Sequence, residues 1–277
     1  MLYEAFFKRF GYDLRGRLFE LWEGDGQVRL DFAELLESRL EWLETEFKRR
    51  LPGRFVGIHR TMHEELADDF RIGCSDYFRH KRGTSAGFTD SIFEREDSMV
   101  TMGLLARALG RVSNSGEAWN NSWGFRPTRD HLEYYLRLLG CLGVRWLGHA
   151  YHSSVAFGPS YPHHPTWREK PAHLSVHRKL LEQLEGAEPD CDTAVIYNWQ
   201  SVADFTGASL HEHRRTFLFA CLELVLAQAP VTIVDPLQLA GSRFRRILVP
   251  WPNRLMPEAW DALEKAAAEG SEIFFMG

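Results

Sequence analysis

The chain is poor in cysteine: 277 residues carry four, Cys74, Cys141, Cys191 and Cys221, and no two form a CxxC pair. That excludes a disulfide-stapled small scaffold and leaves no thiol zinc motif. No run approaches about 18 apolar residues, so nothing reads as a membrane span. The opening "MLYEAFFKRFGYDLRGR" scatters charges where a leader would be apolar. A cytoplasmic protein with reduced thiols is the expectation. Basic excess is absent too: 33 Lys and Arg face 38 Asp and Glu, a net charge of −5, which argues against a nucleic-acid partner. Neither GxGxxG nor a P-loop occurs, and no cofactor is expected. There are no internal repeats and no low-complexity segment.

What is present is ordinary in bulk and richer in aromatics, 13% of residues with nine Trp, which suits a filled core or a sugar-stacking site. Residues 30–50 read as an amphipathic helix, with Leu35, Leu36, Leu40 and Leu43 at helical spacing and "LPGR" as the stop. "RFVGIHRT" then reads as a buried strand, "MHEELADDF" as a turn or short helix, and "AGFTDS" as a second strand. A helix over 95–111 closes at Gly110, "VSNSGEAW" follows as a strand, a helix over 128–143 starts at Thr128, and 144–153 is the next strand. Strands alternating with helices and ending in polar or aromatic residues are the rhythm of a (β/α)8 TIM-type barrel. Only about half of the eight strands a barrel needs are visible. The reading is a partial barrel, its C-terminal half, over residues 1–155.

A Pro- and His-rich connection with a helix fills 156–190, and the texture then changes. "DTAVIYNW", "VTIVDP", "RRILVPW" and "SEIFFMG" are apolar strands separated by helices at 213–229 and 256–270. Such runs imply a parallel sheet covered on both faces. Residues 191–277 are therefore expected to form a flavodoxin-like (amidotransferase-like) α/β domain. Its first turn, "NWQSVADFTG", is too bulky for a phosphate loop, and no nucleophile elbow follows "RRILVPW", so a structural role is expected.

Cleaving a glycosidic bond takes two carboxyl groups, one to protonate the leaving oxygen and one to attack the sugar or activate water. Glu117 is the best single candidate, read as lying at a strand end and followed by Trp119, Asn120, Asn121 and Trp123. Indoles stack on sugar rings and amides bond their hydroxyls. A surface glutamate in a loop is the competing reading. Glu64 or Glu65, after His59 and His63, is the candidate second carboxylate. The HxxxHE order is not a zincin motif, and the competing reading is an acidic turn. His149, Tyr151 and His152 stand at another strand end as sugar contacts or as structural histidines.

The succession "GIHRTMHEE", "GFTDS", "LLARALGRVSNSGEAW", "SWGFRPTRDHLEYYLRLLGCLGVRWLGHAYHSSVAFGP" and "DTAVIYNW" resembles large bacterial glycoside hydrolases. The likeness is to the family 106, α-L-rhamnosidase-like enzymes, and more distantly to the family 42 β-galactosidases, whose barrel is followed by a flavodoxin-like domain. The resemblance implies hydrolysis of a carbohydrate substrate with Glu117 catalytic and Glu64 or Glu65 as its partner carboxylate. It carries over no metal site. "SYPHHPTW" replaces the family's Pro-rich loop, which leaves the sugar open. A half barrel leaves strand edges bare, so a missing N-terminal half or a homo-oligomer is expected to cover them. The alternative is a catalytically incomplete fragment or subunit that binds carbohydrate or has a structural role.

Overall fold

The computed structural model describes residues 2–23, 26–54, 76–81, 86–92, 95–113, 115–123, 129–148, 165–204, 208–241 and 243–277. Three helices open the chain: α1 (Leu2–Phe10), α2 (Glu20–Glu23) and α3 (Gly26–Arg50). Between α1 and α2, a 3₁₀ turn at Leu14–Arg17 is capped by the Asp13 carboxylate, which accepts the Arg15 N–H at 3.0 Å. This turn folds the chain back, so that Phe6, Leu14, Val28 and Leu35 close a small core. The short α4 (Tyr77–Lys81) is held to α3 by Arg79, which pairs with Glu34 at 2.7 Å and Glu41 at 3.0 Å.

The first sheet is built from β1 (Ala86–Ile92), α5 (Glu96–Val112), β2 (Glu117–Trp123), α6 (Arg129–Cys141) and β3 (Val144–Gly148). Its strands are parallel in the order β1-β2-β3, with Ala86 opposite Glu117 and Ala118 opposite Val144. α5 lies directly on β1 because two glycines meet there. A Cβ at Gly87 would sit 2.3 Å from the Gly110 nitrogen and 2.5 Å from the Leu109 carbonyl carbon. α7 (Pro165–Gln183) then packs along α6.

The second sheet comprises β4 (Thr193–Ile196), α8 (Trp199–Asp204), α9 (Ala208–Leu226), β5 (Val231–Val234), a 3₁₀ turn at Pro236–Leu239, β6 (Arg246–Pro250), α10 (Pro257–Ala268) and β7 (Glu272–Met276). All pairings are parallel and the order is β5-β4-β6-β7, so the chain winds outward both ways from β4. Alternation divides the side chains between two faces. Val195, Ile233 and Leu248 meet Phe217, Leu218 and Cys221 of α9, while Ala194, Ile196, Ile247 and Val249 meet Leu263 and Ala266 of α10. Both faces are apolar because both are covered, which is why the sequence shows continuous hydrophobic runs.

The strands of the two sheets do not pair with each other, yet a single core runs between them. α5 is the link. Val100, Met102, Leu104, Leu105 and Ala108 share one cluster with Val195, Val231 and Phe217, and the Thr101 hydroxyl donates to the Leu218 carbonyl at 3.4 Å. A helix apolar on almost every side is what a two-sided packing position demands.

Most expected elements appear within a few residues of their predicted bounds, and one is displaced in a way that matters. The strand expected at "VSNSGEAW" is β2 at Glu117–Trp123. α5 runs on to Val112, and Ser113 ends it, its N–H bonding the Leu109 and Gly110 carbonyls and its hydroxyl the Gly110 carbonyl at 2.8 Å. Gly116, at φ 72°, completes the turn. The Ser/Gly run is therefore helix-to-strand turn chemistry. The strand expected at "RFVGIHRT" and the turn at "MHEELADDF" lie outside the described residues. Among the described residues no helix is long and apolar enough to cross a membrane.

Candidate active site

In a parallel sheet all C-terminal strand ends share one edge. Here that edge is formed by Ile92, Trp123 and Gly148. The residues following these ends, 93–94, 124–128 and 149–164, lie outside the described set, and with them His149, Tyr151 and His152. His59, Glu64 and Glu65 lie outside it as well. Trp123 is the last residue of β2, and its side chain is not among those described.

Glu117 is at the other end. It is the first residue of β2, opposite Ala86 at the start of β1, so the expectation that it ends a strand is corrected. The displacement of β2 described above is the physical reason: a strand that begins at 117 has its C-terminal end six residues further on. There Glu117 is engaged. Its Oε2 accepts the Trp119 Nε1–H at 3.1 Å and its Oε1 lies 3.2 Å from Arg145 Nη2 on β3. The Arg145 guanidinium in turn lies over the Trp119 ring, 5.4 Å from its centroid. Trp119 and Arg145 are register partners, so parallel pairing itself brings the three together. The Glu117 backbone N–H is taken by the Ser115 hydroxyl at 3.1 Å. The arrangement is a clamp across the start of β2 and β3, and Trp119 is occupied by it.

The remaining candidates divide by face. Asn120 is fully buried toward α5, where its Nδ2 donates to Thr89 Oγ1 at 2.9 Å and its Oδ1 accepts from the Ser91 hydroxyl at 2.9 Å. Thr89 passes the chain on to the Met102 carbonyl at 2.9 Å. That network is satisfied and ties the sheet to α5. Asn121, also buried, has the opposite parity and shares the face of Glu117 and Trp119, two positions from the C-terminal end of β2. Opposite Asn121, the backbone register places Asp90 of β1. Sequence reading passed over Asp90, although "GFTDS" puts this residue, whose side chain is not among those described, two positions before a C-terminal strand end; that position is the signal that could have found it.

One buried group was missed altogether. His177 of α7 places Nε2 2.8 Å from the Val144 carbonyl at the start of β3. Burial pushes its pKa down, against the smaller upward pull of that carbonyl. It fastens α7 to the sheet at the end away from the candidate site.

No family model matches the chain, and no curated protein matches it. Solved structures do. The chain is similar to the apo exo-carrageenase GH42 from Bacteroides ovatus, with TM-score 0.68, 14% identity, and coverage of 99% of this chain and 44% of that one. It is also similar to a catalytic mutant of Gan42B, a GH42 β-galactosidase from G. stearothermophilus, with TM-score 0.66, 12% identity, and coverage of 90% and 41%. The fold is GH42-like. It is thus a TIM-barrel-related α/β fold, and the chain spans less than half the length of either neighbour. The family 42 likeness seen in the sequence has structural counterparts, while these two neighbours lend the family 106 likeness no support.

Proposed function

We propose that the chain is part of a glycoside hydrolase of the family 42 type. In this reading β1–β3 are consecutive strands of a (β/α)8 barrel and β4–β7 a flavodoxin-like domain, with the divisions near 155 and 190. What carries the reading is the likeness to two GH42 structures over nearly all of this chain. The 2-1-3-4 strand order of the second sheet supports the second part. Carbohydrate is bound where β1, β2 and β3 end, the reactive edge of such barrels. Asp90, with Glu64 or Glu65, supplies the carboxyl pair. Asn121, Trp123, His59, His149, Tyr151 and His152 contact the sugar.

Glu117 and Trp119 do not belong to this pair in our reading. They stand at the far end of the strand and are bonded to one another and to Arg145. The substrate class is a β-galactoside or a carrageenan oligosaccharide, by analogy with what the two neighbours cleave. The test is hydrolysis of aryl β-D-galactoside and of carrageenan oligosaccharides, with aryl α-L-rhamnoside as the comparison. Turnover of either of the first two supports the reading. Turnover of the rhamnoside alone, or of none, counts against it.

A further inference from the structure

Asn120 stands on the rear face of the first sheet, toward α5, directly behind the candidate site. Its two partners there flank Asp90 in the chain. Nδ2 donates to Thr89 Oγ1 at 2.9 Å, and Oδ1 accepts from the Ser91 hydroxyl at 2.9 Å. Thr89, Ser91 and Asn120 are all fully buried. One amide therefore holds the residue before Asp90 and the residue after it. Asp90 itself has the opposite parity and belongs to the front of the strand, with Asn121 across from it on β2.

The sense of every bond is set from α5. The Thr89 hydroxyl gives its one proton to the Met102 carbonyl at 2.9 Å, so toward Asn120 it only accepts. That places Nδ2 at Thr89 and leaves Oδ1 for Ser91, whose hydroxyl must donate. The network also selects a register. Slipping β1 against β2 by one residue would turn every side chain to the wrong face. A slip of two keeps the faces, yet it carries Asp90 roughly 6.6 Å along the sheet from Asn121. Behind the strand pair stand Gly87, Thr89 and Ser91 of β1 and Ala118 of β2, small residues that give such a slip little apolar area to lose. What opposes it is polar. The register that sets Thr89 opposite Asn120 pairs these buried groups, and a buried group left unpaired is costly. The same register sets Asp90 opposite Asn121.

We propose that Asn120 is a positioning residue of the candidate site: from the rear of the sheet it fixes the height of Asp90 against Asn121 near the C-terminal edge. Its bearing on catalysis rests on the hydrolase reading above; its bearing on Asp90 does not.

The test separates the hydroxyl at position 89 from its bulk. Thr89→Val keeps the shape and loses the hydroxyl, while Thr89→Ser keeps the hydroxyl, and both changes lie equally close to Asp90. Asn120→Leu removes the amide at similar volume. Ser98→Ala is the control, because Ser98, in the first turn of α5, is fully buried and its hydroxyl bonds nothing among the described residues. With isotope-labelled aspartate carboxyls followed by NMR in the whole chain, the Asp90 signal is identified by its loss in Asp90→Asn. Its titration midpoint should move in Thr89→Val and Asn120→Leu and stay parental in Thr89→Ser and Ser98→Ala. The charged groups described on that face, Glu117 and Arg145, and those opening α5, Arg95, Glu96 and Asp97, are the same in all of these proteins, so a moved midpoint reports a moved Asp90. On a glycoside that the parent cleaves, Thr89→Val should lower kcat about tenfold or more with KM near parental, since a misplacement of about 1 Å can cost about 10²-fold. Thr89→Ser should restore the rate. An Asp90 midpoint unchanged in Thr89→Val, or in a folded Asn120→Leu, overturns the proposal. A shift as large in Thr89→Ser or Ser98→Ala overturns it equally, since packing alone would then account for the effect. If the parent cleaves no glycoside, or Asp90→Asn leaves turnover intact, the hydrolase reading fails, and the carboxyl titration still decides whether Asn120 positions Asp90.

Discussion

Trp119 donates its indole N–H to Glu117 across two residues of β2, at 3.1 Å, and both stand at the start of the strand. Arg145 closes the arrangement from β3. Glu117 keeps a third of its side-chain surface and Arg145 about half, so their ion pair is partly screened. Pairs of this exposure are worth about 0.2–1 kcal/mol. Glu117→Gln retains an acceptor for Trp119 and loses the charge. It should lower the melting temperature by no more than about 2–4 °C for each kcal/mol lost, as read by differential scanning calorimetry. A collapse of the fold would show that more rests on this carboxylate than the clamp.

Gly87 should tolerate no side chain. The Cβ of an alanine there would lie 2.3 Å from backbone of α5, which cannot rotate away. α5 would have to lift from β1, and α5 also holds the second sheet. Overpacking of this kind typically costs about 1–3 kcal/mol, and a backbone neighbour puts Gly87→Ala at or above the upper end. A thermal melt of the variant that matched the parent would refute the close approach.

His177 sets an acid limit on stability. Burial lowers its folded pKa below the ordinary value of 6.5, so the unfolded chain takes up a proton first as pH falls. The stability contributed by the neutral, buried ring is complete above pH 6.5 and is lost as pH falls from there through the folded pKa. Urea unfolding midpoints measured between about pH 7.5 and 5 should fall in the parent. The fall should be shallower in His177→Gln. An identical slope in the two proteins would assign the acid sensitivity to other groups.

The three described thiols should react in the order of their burial. Cys141 is exposed, Cys191 half-buried, and Cys221 fully buried in the shared core with its thiol pushed up to about 12 by that burial. A thiolate is the reactive form. With a chromogenic disulfide reagent, Cys141 should label at once and Cys221 only on global unfolding, as single cysteine-to-serine variants would show. Early labelling of Cys221 would mean that the core between the two sheets opens easily.

The second sheet was the more legible part of the fold. "DTAVIYNW", "VTIVDP" and "RRILVPW" are apolar because each strand is covered on both faces, while "SEIFFMG" is apolar with Phe274 and Phe275 half-exposed; Pro257 and Gly270 punctuate the helix before it. Periodicity alone sufficed there. In the first sheet it did not. "VSNSGEAW" holds a helix end, a turn and a strand start in eight residues. Only the count of bonds that Ser113 makes, and the positive φ of Gly116, separate them. An error of five residues at that point moves Glu117 from one end of the strand to the other. His177 was invisible because its partner is a backbone carbonyl 33 residues away. The joint role of α5 was equally hidden, since an all-round apolar helix does not announce what lies on each side.

The most direct test of the account compares Asp90→Asn with Glu117→Gln on the glycoside that the parent cleaves, both confirmed as folded by their melting curves. Loss of a general acid or base costs about 10²–10⁴-fold in rate. The account predicts a fall of that size in kcat/KM for Asp90→Asn and a change of less than about threefold for Glu117→Gln. The reverse pattern, with Glu117→Gln inactive and Asp90→Asn near parental, would contradict it.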